Sequence, residues 1–293
     1  SQPALAETSI RLHFAAGILD LQKDTTTEGS TSDGGTTATS PTATTGGGPT
    51  TEQLAKAAQN PVADMISLPF QNNFTFPTGP GDNAQWVLNI QPVIPIKISE
   101  DINLITRTIL PVIYAPSPAA GVSSDFGLGD LQFTAFLISR EADGLIWGFG
   151  PVFQFPTATS DRLGTDKWSA GPSGVALPMR GPYGDRWIGS ECLVVRRIWW
   201  NGVNALLVQP FINYNLHDGW YITTTTAPVI TANWKADSNN RWTIPVGGGV
   251  GKVLRIGAQP VNIQLQTFYN VQRPAGVGEW SIRFQIQLLS LGG

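Results

Sequence analysis

Apolar and polar side chains alternate strictly over residues 261–272, which read VNIQLQTFYNVQ. Every second position, from Val261 through Leu265 to Val271, is apolar or, at Thr267, carries a methyl group. The positions between them are mostly Asn and Gln. Strict alternation predicts a β-strand with one apolar face and one polar face. Because the polar face consists of uncharged amides rather than Lys and Glu, it is unlike the solvated face of a soluble sheet.

The same alternation recurs along most of the chain. It is clear in WVLNIQPVIPIKI at 86–98, VQPFINYNL at 208–216 and WSIRFQIQL at 280–288. We predict twelve strands, at about 65–76, 84–98, 102–115, 127–139, 145–157, 167–179, 186–200, 205–216, 220–236, 241–256, 259–273 and 279–291. Most exceed the roughly five or six residues usual in soluble domains, and they suit the ~9–11 tilted residues that cross a bilayer.

The predicted strands are separated by clusters of turn residues such as GPGDN, READG and ADSNN, which carry much of the charge. The sequence therefore predicts an all-β fold, a transmembrane antiparallel β-barrel of about 12 strands, with the apolar face towards lipid and the amide face inside. Because the strand number is even, both ends of the barrel should emerge on the same, periplasmic side. A soluble β-sandwich also has alternating strands, but it explains neither the strand lengths nor the scarcity of Lys and Glu on the polar face.

The alternation also assigns side chains to the inside or the outside of the barrel. The lumen-lining side chains are expected to be Asn89, Gln91, Lys97, Arg107, Gln209, Asn213, Gln264, Gln266, Asn270, Arg283 and Gln285. Aromatic rings near strand ends should form two girdles at the headgroup level. The predicted girdle residues are Trp86, Trp147, Trp187, Trp220, Trp234, Trp242 and Trp280, and Trp199, Trp200 and Tyr221 occupy similar positions.

Composition agrees with a membrane barrel and excludes several other classes. Only 13% of the residues are charged, where about a quarter is usual in soluble domains. No stretch approaches the ~18–20 consecutive apolar residues of a membrane-spanning helix. The net charge of −3 offers no basic field to a nucleic acid, and the lone Cys192 can form neither an intrachain disulfide nor a cysteine-rich metal site. Since the chain starts SQPALAETS, we expect that a signal peptide has already been removed.

Three segments precede the predicted barrel of residues 65–293. Residues 1–24 contain SIRLHFAAGILDLQ, whose apolar pattern fits either a strand or a short amphipathic helix. Residues 25–51 are almost entirely Thr, Gly, Ser, Ala and Pro, which predicts a flexible linker. For residues 52–64 we predict a short helix leading to the barrel, because TTEQ is a capping pattern and the NP dipeptide should end the helix.

Nothing in the sequence predicts an enzyme, a metal site or a cofactor. The two histidines, His13 and His217, are far apart, and His217 lies in an LHDG turn rather than on a strand. The glycine runs at 127–129 and 247–251 lack the Lys and the strand–loop–helix context of a phosphate loop. Glycines in barrel strands more often leave room for a bulky neighbour across the wall.

The charges expected in the lumen support two interpretations. Alternation places Lys97, Arg107 and Arg283 inside, and one of Arg196 and Arg197 should also face in, with Glu191 as a partner. A cationic strip in a narrow pore would favour anions, including carboxylates. Alternatively, the arginines brace the lumen by donating hydrogen bonds to Asn, Gln and Glu side chains, and we favour this second interpretation.

Several stretches resemble a family of bacterial outer-membrane putative transporters, the phenol-degradation MetA-pathway-like outer-membrane β-barrels. They include AQNPVADMISLPFQNNF, DINLITRTILPVIY, GLIWGFGPVFQFPTAT, QPFINYNLHDGWYIT, WTIPVGGGVGKV and QPVNIQLQTFYNV, and they span residues 57 to about 273. The resemblance implies a barrel in the bacterial outer membrane that passes small, often aromatic, molecules.

Two functions are consistent with these observations. The leading hypothesis is a passive channel or transporter for small solutes, aromatic or anionic, because twelve strands enclose a lumen between the filled eight-stranded and the open sixteen-stranded barrels. The alternative is a scaffolding barrel with a closed lumen, whose residues 1–24 tether a periplasmic or outer-membrane protein partner through the linker. In both cases the lipid bilayer is a partner and nucleic acid is not.

Overall fold

The computed structural model describes residues 21–22, 54, 61–63, 65–78, 81–99, 101–119, 121–139, 145–178, 188–200, 203–224 and 229–291. Almost all of these residues lie in β-strands or in the turns between them. The strands are β1 (Leu21–Gln22), β2 (Pro61–Ala63), β3 (Met65–Thr78), β4 (Asn83–Ile90), β5 (Val93–Lys97), β6 (Ile102–Ala115), β7 (Asp125–Leu128), β8 (Leu131–Ser139), β9 (Leu145–Phe155), β10 (Ser169–Pro178), β11 (Ile188–Trp200), β12 (Val203–Asn215), β13 (Trp220–Thr224), β14 (Ile230–Asn233), β15 (Trp242–Ile256), β16 (Gln259–Gln272) and β17 (Trp280–Leu291).

Strands β3 to β17 form one closed antiparallel sheet of fifteen strands. Neighbours along the chain pair in turn, β11 pairs with β12, and the last strand, β17, pairs along its length with the first, β3. Three pairs of strands, β4 with β5, β7 with β8 and β13 with β14, each make one crossing of the wall, so the fifteen strands make twelve crossings. The predicted β-barrel and its strand number are therefore confirmed for the described part of the chain.

The interrupted crossings have local causes in the sequence. Between β4 and β5 the chain contains Gln91 and Pro92, and proline cannot donate to the strand ladder. Between β7 and β8 it contains Gly129 and Asp130, where a tight approach of Ile113 and Pro111 leaves no space for a Cβ at position 129. These breaks interrupt single strands without opening the sheet.

The barrel has two distinguishable ends. Strand β3 begins and strand β17 finishes at one end, which we call the termini end, and its connections include the turns at 98–101, 216–219 and 257–258. The other end, which we call the opposite end, carries longer connections at 116–124, 156–168, 234–241 and 273–279. His217 lies in the short 3-10 turn His217–Gly219 at the termini end, where Asp218 adopts a positive φ of 56°. In bacterial outer-membrane barrels the short turns are periplasmic and the long loops extracellular.

The side chains of the sheet have the reverse of the distribution in a soluble protein, with apolar side chains on the outer face and polar side chains in the interior. On β16, Leu265 is 54% exposed and Val271 58%, whereas Asn262 and Gln266 on the other face are at most 1% exposed. The apolar face of the alternating pattern thus points outward, and the amide face fills the interior. Large exposed apolar side chains recur on β3, on β5 to β9, on β12, β13 and on β15 to β17. Soluble monomers rarely expose such a continuous apolar surface, and a barrel in a bilayer requires one.

Only a few residues before the barrel are described. Leu21–Gln22 pairs in parallel with Pro61–Ala63, so the end of the N-terminal segment returns to the entrance of the barrel. Leu54 is helical, and the remainder of the helix predicted within 52–64 lies outside the described residues, apart from Pro61–Ala63, which is a strand. The predicted linker at 25–51 also lies outside them. Within the described part of the chain, none of the helices is long and apolar enough to span a membrane.

Candidate functional site

The candidate site is the interior of the barrel, which consists of three layers along its axis. Around mid-depth lies a network of hydrogen-bonded polar side chains, which we call the polar belt. At the termini end lies an apolar cluster that includes Leu54, and at the opposite end the loop 156–168 folds inward. Each layer is built by a different part of the sequence and is described in turn.

One half of the polar belt connects β6, the β4–β5 junction, β3 and β17. The guanidinium of Arg107 donates to Gln91 Oε1, the Gln91 amide donates to Gln71 Oε1, and the Gln71 amide donates to Gln285 Oε1, each over 2.6 Å. All four side chains are buried. A glutamine both donates and accepts, so the side chains of neighbouring strands can satisfy one another in series without buried counter-charges.

The other half of the belt continues across β17, β16 and β13. The Gln285 amide donates to Gln287 Oε1 over 3.4 Å, and the Asn262 amide donates to the same oxygen over 3.0 Å. The Tyr221 hydroxyl then donates to Asn262 Oδ1 over 2.7 Å. To reach Asn262 the ring of Tyr221 crosses strand β15 directly over Gly251, which is opposite it in the register. A side chain at position 251 would occupy the space of this ring.

A second polar row lies closer to the opposite end. Arg283 Nε donates to Asn73 Oδ1 over 2.7 Å, and the Asn73 amide donates to the backbone carbonyls of Gln71 and Val87 at 3.1 Å each. Next to this row, the hydroxyls of Thr75 and Ser281 lie 3.3 Å apart. Arg107 and Arg283 are among the largest fully buried side chains of the protein, and each donates to an amide of the wall. Both arginines therefore hold neighbouring strands of the wall together through these hydrogen bonds, a role that does not depend on whether they also attract a solute.

Some buried acceptors of the lumen are left without a hydrogen bond. Among the described residues, the side-chain oxygens of Asn213, Thr223 and Gln264 have no hydrogen-bond partner. Asn213 and Thr223 are opposite each other on β12 and β13, so two of these oxygens are neighbours. A buried polar group without a partner costs about 1–3 kcal/mol, and native interiors contain few of them.

The wall of β9, β11 and β12 gives the interior an apolar side. Val152, Ile198, Ala205 and Leu207 pack together with Val229, and all five are buried. The polar belt runs over β3, β6, β13, β16 and β17 on the other side of the barrel. The four residues of this group that belong to strands lie in the parts of β9, β11 and β12 that are nearest the opposite end, so the interior has an apolar patch on this wall in addition to the polar belt.

The termini end is closed by an apolar cluster. Leu54, from the segment before β3, is 1% exposed and packs with inward-facing side chains of the wall. The wall members of this cluster are Met65, Val93, Ile105, Phe136, Ile138, Val175, Tyr221, Val253 and Leu289. Because these residues come from strands all around the barrel, the cluster extends across the lumen.

At the opposite end the loop 156–168, which we call the inward loop, folds into the barrel and packs on the inner face of β4 and β6. Leu163 at its centre is fully buried against the inward-facing Val87, Ile113 and Ala115. The side chains of the loop approach β7 so closely that a Cβ at Gly127 would lie 3.1 Å from Leu163 Cδ1 and would overlap the side chain of Thr159. Glycine at 127 is thus required by the close approach of the loop.

Asp130 anchors the inward loop. Its Oδ2 accepts hydrogen bonds from the Thr165 backbone N–H and from the Thr165 hydroxyl, both over 2.7 Å, and from the Gln154 amide over 3.1 Å. Its Oδ1 accepts from the Ala158 backbone N–H over 3.3 Å. Asp130 is itself 3% exposed. On the outer side of the loop, Arg162 donates to the carbonyls of Ser123 and Pro116.

The structure places most of the predicted lumen residues together. Asn89, Gln91, Arg107, Gln209, Asn213, Gln264, Gln266, Asn270, Arg283 and Gln285 are all buried on the inner face of the wall. Lys97 is different, because it is exposed at the last position of β5, opposite the buried Asn103, and so lies on the rim at the termini end. Whether Arg196 or Arg197 faces inward, and what Glu191 contacts, concerns side chains outside the described part of the chain.

The aromatic residues occupy the two ends of the outer face. Trp86, Trp234, Trp242 and Trp280 lie towards the opposite end and Trp147 and Trp220 towards the termini end, while Trp187 lies outside the described residues. Trp86 stacks on Phe126, Trp234 packs edge-on against Trp242, and Trp280 packs against Tyr269. The prediction that Tyr221 occupies a position similar to that of the girdle residues is wrong. Since Trp220 points outward, alternation directs Tyr221 into the lumen, where it is 1% exposed.

The interior contains functional candidates that the alternating pattern did not identify. Gln71 and Asn73 occur in the run QNN, where three consecutive polar residues hide the inward parity. Asn72, between them, faces outward and accepts a hydrogen bond from the Trp86 indole over 3.2 Å. Asp130 lies between β7 and β8, and Leu163 lies in the loop 156–168, so alternation does not assign either of them. The sequence offers only weak signals for them: a carboxylate that follows GLG, and a single leucine in a polar loop.

Metal ligation finds no support in the described residues, where no group of three or more His, Cys, Asp or Glu side chains could hold an ion. His217 is exposed in its turn, and His13 lies outside the described residues. Among the side chains that the structure describes, the chemistry of the interior is therefore that of amides, hydroxyls, two arginines and one buried carboxylate.

Comparison with known structures supports the fold. The chain is similar to the COG4313 outer membrane channel from Pseudomonas putida F1, with a TM-score of 0.55 and 16% sequence identity over 77% of this chain and 94% of that one. It is also similar to the translocator domain of the autotransporter NalP from Neisseria meningitidis, with a TM-score of 0.41 and 10% identity over 77% of this chain and 87% of that one. No family model and no curated protein sequence matches the chain. The first likeness confirms the outer-membrane type of β-barrel, and the more specific family predicted from the sequence stays a prediction.

Proposed function

We propose that the protein is a passive channel for small solutes in the outer membrane of a bacterium, closed in this conformation at both ends, and that it is not an enzyme. The observation that carries the proposal is the polar interior at membrane depth. A lumen that only had to be filled could be packed with apolar side chains, as the termini end is, at no cost in unpaired polar groups. Instead, the middle of the barrel contains amides and hydroxyls, and several buried acceptors lack a protein partner.

The apolar patch on one wall and the polar belt together favour a small solute with one polar and one apolar part. The apolar side at Val152 and Leu207 would contact a ring or a short alkyl group, and the polar belt would hydrogen-bond the other part. Arg107 in the polar belt and Arg283 in the row closer to the opposite end carry positive charge, which favours a carboxylate over a neutral group of the same shape. Small aromatic carboxylates are therefore the solutes that we propose to test first.

The likeness to an outer membrane channel from Pseudomonas putida F1 is consistent with this function but rests on 16% identity, which indicates the fold. Under the proposal the termini end is periplasmic and the inward loop lies at the extracellular mouth, because long loops are extracellular in such barrels. The apolar cluster around Leu54 would act as a constriction that water and solutes enter only when Leu54 moves.

The decisive experiment is solute flux into proteoliposomes that contain the purified protein. We would compare benzoate, its neutral analogue benzamide and a small sugar, with the double variant Arg107→Gln/Arg283→Gln and the outward-facing control Lys252→Gln, which removes one positive charge from the lipid side next to Trp220. We expect benzoate to enter faster than benzamide, and the double variant alone to lose that preference. If the double variant still prefers benzoate over benzamide, the two arginines only brace the wall and do not select the solute.

A scaffolding barrel remains the second candidate, favoured by the closure of the lumen at both ends. Leu54 and Leu163 are both buried, and the inward side chains of β16 between Asn262 and Asn270 are at most 5% exposed. Absence of flux from the wild type and also from a variant whose inward loop is released, Asp130→Ala, with both barrels folded, would support the scaffold. The search would then turn to a protein that co-purifies with the full chain and is lost when residues 1–24 are removed.

A further inference from the structure

The outer wall contains a groove that the proposed channel does not use. It lies on β6, β8, β9 and β10 and has a volume of about 510 Å³, within the ~300–1,000 Å³ of small-molecule sites. Its floor includes Ala135, Pro151 and Pro172, and its side is formed by Leu104, Leu137 and Phe149. Leu137 and Phe149 are themselves exposed on the lipid-facing surface, so the groove opens towards the bilayer.

The register of the strands explains why the groove exists. Pro151 is directly opposite Pro172, and Ala135 is adjacent in the same outward row. On one side of this row Leu137 is opposite Phe149, and on the other side Phe133 is opposite Phe153. A row of short side chains thus lies between two rows of long ones, which leaves a channel-shaped depression across three strands.

The groove offers almost nothing to a polar ligand. Pro151 and Pro172 have no backbone N–H to donate. The hydroxyl in the lining, that of Ser173, donates to the Gly150 carbonyl over 2.9 Å. A ligand with hydrogen-bonding groups would lose its partners in water and gain none here, whereas a hydrocarbon loses nothing.

We propose that this groove holds an acyl chain of a membrane lipid. Hydrocarbon is what the groove accepts, and at this position on the wall the surrounding hydrocarbon is the acyl region of the bilayer. A chain that lies between the Leu137–Phe149 row and the Phe133–Phe153 row contacts protein on three sides, and it gains dispersion contacts that a flat wall does not provide. The proposal depends on the barrel lying in a membrane and is independent of whether its lumen conducts.

The test uses the full chain in vesicles that contain a phospholipid with a photoactivatable diazirine on one acyl chain. After illumination, adducts are mapped by peptide mass spectrometry and compared between the groove strands β8 to β10 and the equally lipid-exposed strands β16 and β17. We expect adducts to be enriched several-fold on 133–137, 149–153 and 171–173. The variant Ala135→Leu, which fills the groove from the outer face, should abolish the enrichment.

A matched control is Thr267→Leu, which adds the same side chain to the outer face of β16, opposite the outward Gly248. It should leave the enrichment unchanged. Equal labelling of both walls, or enrichment that persists in the Ala135→Leu variant, would overturn the proposal. Loss of the enrichment on addition of toluene, with labelling elsewhere unaltered, would assign the groove to a small apolar solute and would also overturn it.

Discussion

The contact between Gly251 and Tyr221 allows a quantitative test of how the lumen is held together. A Cβ built at Gly251 would lie 2.7 Å from Tyr221 Cε1 and closer still to Cζ and the hydroxyl oxygen. Ordinary van der Waals contact begins at 3.4 Å, so the ring of Tyr221 must move away from the wall by more than 0.7 Å. The hydroxyl is held to Asn262 Oδ1 at 2.7 Å, and moving it away by the same amount stretches the bond past the roughly 3.0 Å limit of an O–H···O hydrogen bond.

The expected cost of Gly251→Ala follows from these distances. Overpacking of a filled interior costs about 1–3 kcal/mol, and loss of a buried hydrogen bond that leaves its partners unsatisfied costs about 1–3 kcal/mol. We therefore expect the free energy of unfolding to fall by about 2–5 kcal/mol, measured by urea titration of the protein in phospholipid vesicles. The control Gly174→Ala should be neutral or slightly stabilising, because the nearest atom to its Cβ would be the Gly148 carbonyl oxygen at 3.8 Å.

A second background shows whether the ring is the cause. In a Tyr221→Ala variant the space above Gly251 is free, so the additional Gly251→Ala change should cost less than about 1 kcal/mol. The reasoning is refuted if Gly251→Ala destabilises the protein equally with and without Tyr221. In that case the glycine would be needed for the curvature of β15 instead of for the ring.

Three further changes test the closures and the girdle. Asp130→Asn leaves one acceptor oxygen for the four donors of the Asp130 carboxylate, so we expect protease cleavage within the inward loop to accelerate, while Asp82→Asn, at an exposed position outside the loop, should change it less. Leu54→Ala removes the side chain that the termini-end cluster encloses, so we expect solute flux to rise, whereas Ile66→Ala on the lipid-facing side should leave flux unchanged. Asn72→Leu removes the acceptor of the Trp86 indole, so we expect a blue shift in tryptophan emission and a loss of about 1 kcal/mol of stability, and no spectral change would contradict that hydrogen bond.

The strands could be predicted because burial in a membrane barrel imposes a strict period of two. On β16 every residue from Gln264 to Val271 alternates between lumen and lipid, and the sequence follows this exposure position by position. Even the crossing interrupted at Gln91 and Pro92 keeps its inward parity, since Asn89, Gln91 and Val93 are all buried. Where both faces have strong and opposite preferences, one sequence is enough to assign them.

The closures could not be predicted because they do not depend on a period. Leu163 is buried by a loop whose path is determined by the hydrogen bonds of Asp130, and no local pattern links residues 130 and 165. Leu54 is separated in sequence from most of the wall that surrounds it. Lys97 shows a second limit of assigning side chains by alternation. It is paired with the buried Asn103, yet it is exposed because its strand ends there, at the rim of the barrel.

The two closures differ in chemistry, and this difference determines how each can open. The inward loop is attached mainly by hydrogen bonds to the Asp130 carboxylate, and water or a polar solute at the mouth can replace these bonds. Each is worth a net of about 1.5–3 kcal/mol, because the acceptor is charged. The termini-end cluster is apolar, so a polar solute offers it nothing, and its opening requires Leu54 to leave a fully buried position at a cost of about 1.5–3 kcal/mol for the side chain alone. A solute that arrives from the opposite end would therefore enter the polar belt before the apolar cluster at the termini end opens. Leu54 belongs to the segment that leads to residues 1–24. A force or a partner that acts on that segment would therefore displace Leu54 from the termini-end cluster directly.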